Sequence, residues 1–226
     1  IINIHIQNPK ISSKYFSFVI APNHDALYGE NIINSAGAIH HFKKTNNLKN
    51  HYEINTKNLI TCIIGGENNH YNFSKEKTLD LCERIKRIKN YNNKEILVIT
   101  SRRTNQEIKY ILKKELSSIS TLWLGEGKNP YEFALYNSSY FIITSDSTSM
   151  ISEASISGKP IYVYQLPMKR KSKRFIRFHE EFKKMNITRD FNTLDKLENW
   201  TYTKLEESER IAGIIKKRII ERKNES

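Results

Sequence analysis

The stretch YFIITSDSTSMISEASISGKPIYVY, Tyr140–Tyr164, decides how this chain folds. Phe141, Ile142, Ile143 and Thr144 form a β-branched apolar run of the kind buried in a parallel sheet. The run stops at Ser145-Asp146-Ser147-Thr148-Ser149, residues that favour turns and helix N-caps. Met150–Ile156 then reads as a short helix, with Gly158 as its C-terminal stop and Pro160 barring continuation before a second strand at Ile161–Tyr164. A strand, a hydroxyl-rich loop and a helix in that order place the loop at the carboxyl edge of a parallel sheet, where α/β proteins bind ligands. The simpler alternative is that Ser145 and Asp146 only cap the helix. Five consecutive polar residues exceed what a cap needs, which makes Ser145, Asp146, Ser147, Thr148, Ser149 and the adjoining Met150 a candidate phosphate-binding set.

Working upstream, the same alternation recurs. Leu59–Ile64 is an expected strand ending at Gly65-Gly66, a pair that lets backbone approach a neighbour closely but does not complete a dinucleotide fingerprint. Ser74 caps an expected helix through Tyr91. Glu95–Thr100 is the next strand, running into Ser101-Arg102-Arg103-Thr104, where the arginines can clamp phosphate or remain ordinary surface cations. A helix over 105–116, a short strand over 121–124 and a helix from Asn129-Pro130 through Asn137 complete the β-α series. Before it, Ile2–Ile6, Phe16–Ala21 and Asn31–Asn34 are short apolar runs, each ending in polar residues. They read as part of another α/β unit. His24-Asp25 follows the second run; a carboxylate beside an imidazole suits general-base chemistry, although a turn with an Asx cap explains the pair equally.

The expected organisation is residues 1–45 as the remainder of an N-terminal α/β domain, 46–57 as a polar linker, 58–203 as a Rossmann-like domain and 204–226 as a C-terminal helix. The chain opens at Ile1 directly on a strand pattern, which reads as a piece lacking its N-terminus.

The 226 residues carry a formal charge of +13 and an isoelectric point near 9.6. That balance attracts polyanions, whether nucleic acid, anionic lipid or phosphorylated small molecules, and the abundance of Lys, Asn and Ile is equally explained by the base composition of the genome. Met168–Arg174 concentrates the charge. With Phe175, Arg177, Phe178 and His179 it could face a diphosphate, an anionic acceptor or a membrane, or be a solvated loop. Nucleic acid is disfavoured, because no recognised module surrounds these residues. No apolar run reaches the roughly 18 residues of a membrane span. Cys62 and Cys82 are too few for a disulfide scaffold or zinc site and read as buried hydrophobes in a reducing compartment.

Taken together, Gln7-Asn8-Pro9, Ala21-Pro22-x-His24-Asp25, Gly29-x-Asn31, Gly37-Ala38-x-His40, Ile64-Gly65-Gly66, Tyr71-x-Phe73, Thr100-Ser101-Arg102-Arg103-Thr104, Thr144-x-Asp146-Ser147-x-Ser149-Met150-x-Ser152-Glu153-Ala154 and Gly158-Lys159-Pro160-x-Tyr162-Val163 occur in an order that resembles the "elongated mitochondria" family of mitochondrial fission proteins. It departs from that pattern at Asn8 and Glu30. Bacterial members of the family look like GT-B glycosyltransferases and are sometimes labelled nucleoside-diphosphate-sugar epimerases. The resemblance implies an α/β, GT-B-like fold with two Rossmann-like domains facing a cleft and a nucleotide-sugar as donor. By position, Glu153 would hydrogen-bond the ribose, Ser147, Thr148 and Ser149 would meet the diphosphate opposite Gly65 and Gly66, and Arg102 or Arg103 would neutralise the departing nucleotide. His24 or Asp25 would be the base. No metal or cofactor is expected beyond the donor, since helix N-termini and cations can stabilise a leaving diphosphate. The implied activity is sugar transfer to an unidentified acceptor, such as one of the cell envelope, by a cytoplasmic protein able to sit on the inner face of the membrane. The alternatives are an epimerase on the same donor and a non-catalytic scaffold like the plant members.

Overall fold

The β-branched runs become the middle of a parallel sheet. In the computed structural model, which describes residues 1–42, 48–92, 94–191 and 196–224, strands β4 (Ile60–Ile64), β5 (Ile96–Thr100) and β7 (Tyr140–Thr144) are buried along their whole length. With β6 (Thr121–Trp123), β8 (Ile161–Tyr164) and β9 (Thr188–Asp190) they form a six-stranded sheet in the order β6-β5-β4-β7-β8-β9, every pairing parallel. Counted within the sheet this is the 3-2-1-4-5-6 order of a dinucleotide-type fold.

Alternate residues of each strand point to opposite faces, and each face has its own helices. Ile60, Cys62 and Ile64 meet Leu81, Cys82 and Ile85 of α1 (Lys75–Asn92) and Ile108 and Leu112 of α2 (Gln106–Leu116). On the other face Ile63, Phe141 and Ile143 meet Ile151 and Ala154 of α4 (Thr148–Ala154) and Phe178 and Phe182 of α5 (Lys173–Lys184). Leu97 and Ile99 pack on Phe133 and Ala134 of α3 (Tyr131–Asn137). Local signals set the ends: the Asn105 side chain accepts from Ile108 N–H at 2.9 Å to start α2, and Gly158 closes the turn after α4 at φ 69°, a conformation that disfavours a Cβ. Cys62 and Cys82 are both buried free thiols, as composition indicated.

A second, three-stranded parallel sheet holds β1 (Ile4–Ile6), β2 (Phe18–Pro22) and β3 (Ile32–Ser35) in that order. The last helix, α6 (Glu207–Asn224), lies against it rather than against the larger sheet: Ile211, Ile214, Ile215 and Ile219 cover Phe18, Ile20 and Ile33. Polar ties follow the same route, Ala36 N–H to Glu207 Oε2 at 2.8 Å and Arg210 Nη2 to the Asn34 carbonyl at 2.6 Å. The first residues of the expected linker, 46 and 47, lie outside the described residues. Downstream of them, Leu48, Tyr52 and Ile54 pack on the Leu97 and Ile99 face.

Candidate functional site

Strands β4 and β7 are neighbours, yet the helices after them cover opposite faces of the sheet. The crevice between such loops is where open α/β sheets take ligands. Here the two loops are locked together. The Asp146 carboxylate, with no exposed side-chain surface, accepts the Thr144 hydroxyl at 2.6 Å, Gly66 N–H at 3.1 Å and Arg103 Nη2 at 2.6 Å. Gly65 N–H donates to Thr144 Oγ1 at 2.8 Å. A Cβ on Gly65 would come closer than 3.0 Å to both Asp146 oxygens, and one on Gly66 equally close to the Arg103 carbonyl. The glycine pair is therefore required by the packing of protein on protein at this point.

Three of the five polar residues after β7 are engaged internally. Ser145 is fully buried, its hydroxyl accepting Leu166 N–H at 3.0 Å and its carbonyl taking His179 Nε2 at 3.0 Å. A carbonyl only accepts, so the His179 proton sits on Nε2. Asp146 bridges the loops, and Ser147 caps α4 by accepting from Met150 N–H. Met150 itself joins the apolar cluster beneath α4. Ser101 caps its own turn, its hydroxyl accepting Arg103 N–H at 3.2 Å, while Arg102 is exposed.

Thr148 and Ser149 remain open. They line a cavity of about 60 Å³ together with Gln7 from the end of β1, Pro22 and His24 from the end of β2, and Arg174 at the start of α5. The site thus draws on both sheets. His24 and Asp25 lie on a single 3-10 turn, Asn23–Asp25, which ends at Ala26 in the left-handed region at φ 50°. The turn, in place of an extended strand, brings the two side chains to 4.0 Å. Asp25 is held by Arg174, Nε to Oδ1 at 2.8 Å. The His24 ring is 1 % exposed, stands edge-on to Phe178, and finds no hydrogen-bond partner for either nitrogen among the described residues. Burial, aided by the nearby Arg174 charge, pushes its pKa down to about 4, so the imidazole is neutral at physiological pH.

Glu153 lies one turn beyond Ser149 on α4, outside that cavity. Its Oε2 accepts the Tyr131 hydroxyl, and burial raises its carboxyl above the usual range. Tyr131 packs against Phe42, and Phe42 against His41, so the acid faces the connection between the sheets. Among the described residues no cluster of three or more His, Cys, Asp or Glu is placed to hold a metal ion. Sequence reasoning missed Tyr131, and it did not distinguish Arg174 from the other cations of its loop. Only the docking of α5 onto the 23–25 turn singles Arg174 out.

Two parallel sheets, with a C-terminal helix that returns from the second to pack on the first, make this an α/β protein of GT-B-like architecture. The chain belongs to the mitochondrial fission ELM1 family, whose model matches residues 1–219. It is 36% identical over 177 residues to the uncharacterized protein RP120 of Rickettsia prowazekii, covering 75% of this chain and 49% of that protein. It is 27% identical over 130 residues to mitochondrial fission protein ELM1 of Arabidopsis thaliana, covering 56% of this chain and 30% of the relative. The chain thus spans half or less of the curated relatives it matches. Among solved structures it is similar to UDP-GlcNAc 2-epimerase from Neisseria meningitidis bound to UDP-GlcNAc, with a TM-score of 0.50 at 14% identity over 93% of this chain and 64% of that one. At that identity the likeness is one of fold.

Proposed function

We propose that this chain binds a nucleotide-sugar between its two sheets and serves in transferring the sugar to an acceptor. The observation that carries the reading is the cavity shared by His24 and Arg174 with Thr148 and Ser149: hydroxyls at the mouth of the β7 loop, a cation, and an unpartnered imidazole converge from both sides of a cleft. Such a set suits a phosphoryl group. Glu153 would meet the ribose from the next turn of α4, with Tyr131 orienting its carboxylate. Arg103 is committed to Asp146, so Arg102, exposed beside it, is the arginine left to meet a departing nucleotide. Fold-level support comes from the epimerase neighbour, whose structure holds UDP-GlcNAc; analogy of fold alone does not fix chemistry.

Calorimetric titration with UDP and a panel of nucleotide-sugars tests the reading. Micromolar binding that weakens at least tenfold in Glu153→Ala supports it; indifference to every nucleotide rejects it. Donor consumption without any acceptor would redirect the assignment to epimerisation or hydrolysis. A second reading, a non-catalytic scaffold acting in mitochondrial fission, is favoured by the family match and by the similarity to mitochondrial fission protein ELM1 of Arabidopsis thaliana. It predicts no donor turnover under any condition. In either reading the exposed cations Arg170, Lys171 and Lys173 would face an anionic acceptor or the inner face of a membrane.

A further inference from the structure

His24 is a costly residue to leave as it stands. A buried polar atom without a partner forfeits its hydrogen bonds to water, and among the described residues both ring nitrogens are in that position at 1 % exposure, on the wall of a cavity. At about 60 Å³ the cavity has room for roughly four water-sized groups, since about 15 Å³ holds one; that is the size of a tetrahedral oxyanion. An oxyanion only accepts hydrogen bonds. A neutral imidazole offers it one donor, whereas an imidazolium offers two and a charge.

We propose that His24 is a proton-taking contact for a phosphoryl oxyanion seated in this cavity, so that anion binding and protonation of the ring occur together. The inference rests on the reading of the cleft as a phosphate site and assigns its partner on the small-sheet side. The charged groups around the ring fit this coupling. Asp25, on the same turn, favours the imidazolium; Arg174, Arg177 and His179, all on α5, oppose it, while α4 presents only the uncharged Thr148 and Ser149 to the cavity. Burial and the α5 cations by themselves keep the ring neutral. An incoming dianion offsets those cations and tips the balance. His24 then donates to the phosphoryl group, which makes it an oxyanion contact in place of a base for an acceptor hydroxyl.

Sulfate is a suitable probe, because it is tetrahedral and stays dianionic throughout the window from pH 4 to 7. With histidine labelled with nitrogen-15, the His24 pKa is followed by NMR with and without sulfate, against chloride at equal ionic strength. The expected result is an upward shift of one unit or more for His24, absent in Arg174→Gln, with sulfate affinity falling as pH rises. His24→Gln should bind sulfate about tenfold more weakly at pH 5, the loss of a charge-assisted hydrogen bond. If the Thr148 and Ser149 amides respond to sulfate while the His24 pKa stays put, the coupling is overturned and the phosphate site stands. If those amides do not respond either, both fail. Displacement of sulfate by UDP in preference to pyrophosphate would assign the phosphoryl group to a nucleotide; equal displacement would assign it to a free polyphosphate, and both support the coupling.

Discussion

The Arg177 guanidinium donates twice to the carbonyl oxygen of His24, from Nε at 3.0 Å and Nη2 at 2.7 Å. One acceptor thereby ties α5, seated on the six-stranded sheet, to the turn after β2 of the small sheet. Removing the fork in Arg177→Ala should cost about 1.5–3 kcal/mol, the range for hydrogen bonds from charged donors. At roughly 2–4 °C per kcal/mol for a chain of this size, calorimetry should record a lower melting temperature. Arg177→Lys should recover only part, because an ammonium cannot reproduce the fork. An unchanged melting temperature in Arg177→Ala would show that the tie contributes nothing.

The glycine pair yields a sharper expectation. Gly65→Ala drives a methyl into the Asp146 carboxylate, and Gly66→Ala drives one into the Arg103 carbonyl. Asp146 is held by three donors and the Arg103 obstacle is backbone, so neither yields easily. Each substitution should destabilise by about 2–4 kcal/mol, in the range of severe overpacking. Urea denaturation at fixed m-value reads it directly; a neutral result at Gly66 would mean that the loops are not packed as described.

Acid sensitivity follows from two buried imidazoles. His24 and His179 are each pushed down to about 4, burial being the main cause. Between pH 6.5 and 4 the unfolded chain therefore binds protons that the folded chain does not. Stability from this source is full above pH 6.5 and declines as pH falls, by at most about 1.4 kcal/mol per pH unit for each ring. Glu153 and Glu181, raised by burial, act in the opposite sense, destabilising as pH rises through their folded values. His179→Gln, which keeps a donor for the Ser145 carbonyl, should flatten the loss of stability measured by urea denaturation between pH 6.5 and 4. An unaltered slope would exclude His179 as a source.

Glu153 provides a local test. Burial raises its carboxyl, and the Tyr131 hydroxyl counteracts that by donating to the ionised form. Tyr131→Phe deletes the counterweight, so the Glu153 pKa should rise further. Carbon-13 NMR of the carboxylate in the two proteins measures it, and a fall would reverse the sign argued here.

The basic loop can be tested separately from the cleft. Five of the seven residues Met168–Arg174 are Lys or Arg; Lys169 pairs with Glu67 and Arg174 with Asp25. At about 1 kcal/mol per cation near an anionic surface, sedimentation with vesicles of phosphatidylglycerol should exceed that with phosphatidylcholine and vanish in high salt. Lys171→Glu with Lys173→Glu should lower it at least tenfold. Equal sedimentation with both lipids would dismiss the loop as a membrane contact.

The sequence by itself determined the elements and their order. The runs Ile60–Ile64, Ile96–Thr100 and Tyr140–Thr144 bury every residue, and so their β-branched, uninterrupted character marks them as central parallel strands without reference to anything distant. Ser74, Gly158 and Pro160 act within a few residues of themselves, and helix ends were legible for the same reason. The short β9 was not, because Thr188-Arg189-Asp190 carries no apolar run; at Asn23–Asp25 a turn was legible, but not what its side chains would meet. Tertiary structure alone decided what the polar residues do. Ser145 and Asp146 look like ligand hydroxyl and carboxylate in a one-dimensional reading, yet their partners, Leu166, Gly66 and Arg103 from other loops and His179 from α5, draw them inward. Thr148, Ser149, His24 and Arg174 line a cavity because α5 and the small sheet meet at that point without filling it. Hydrogen-bond capacity is a property of a residue; whether it is already satisfied depends on which distant chain the fold brings within 3 Å.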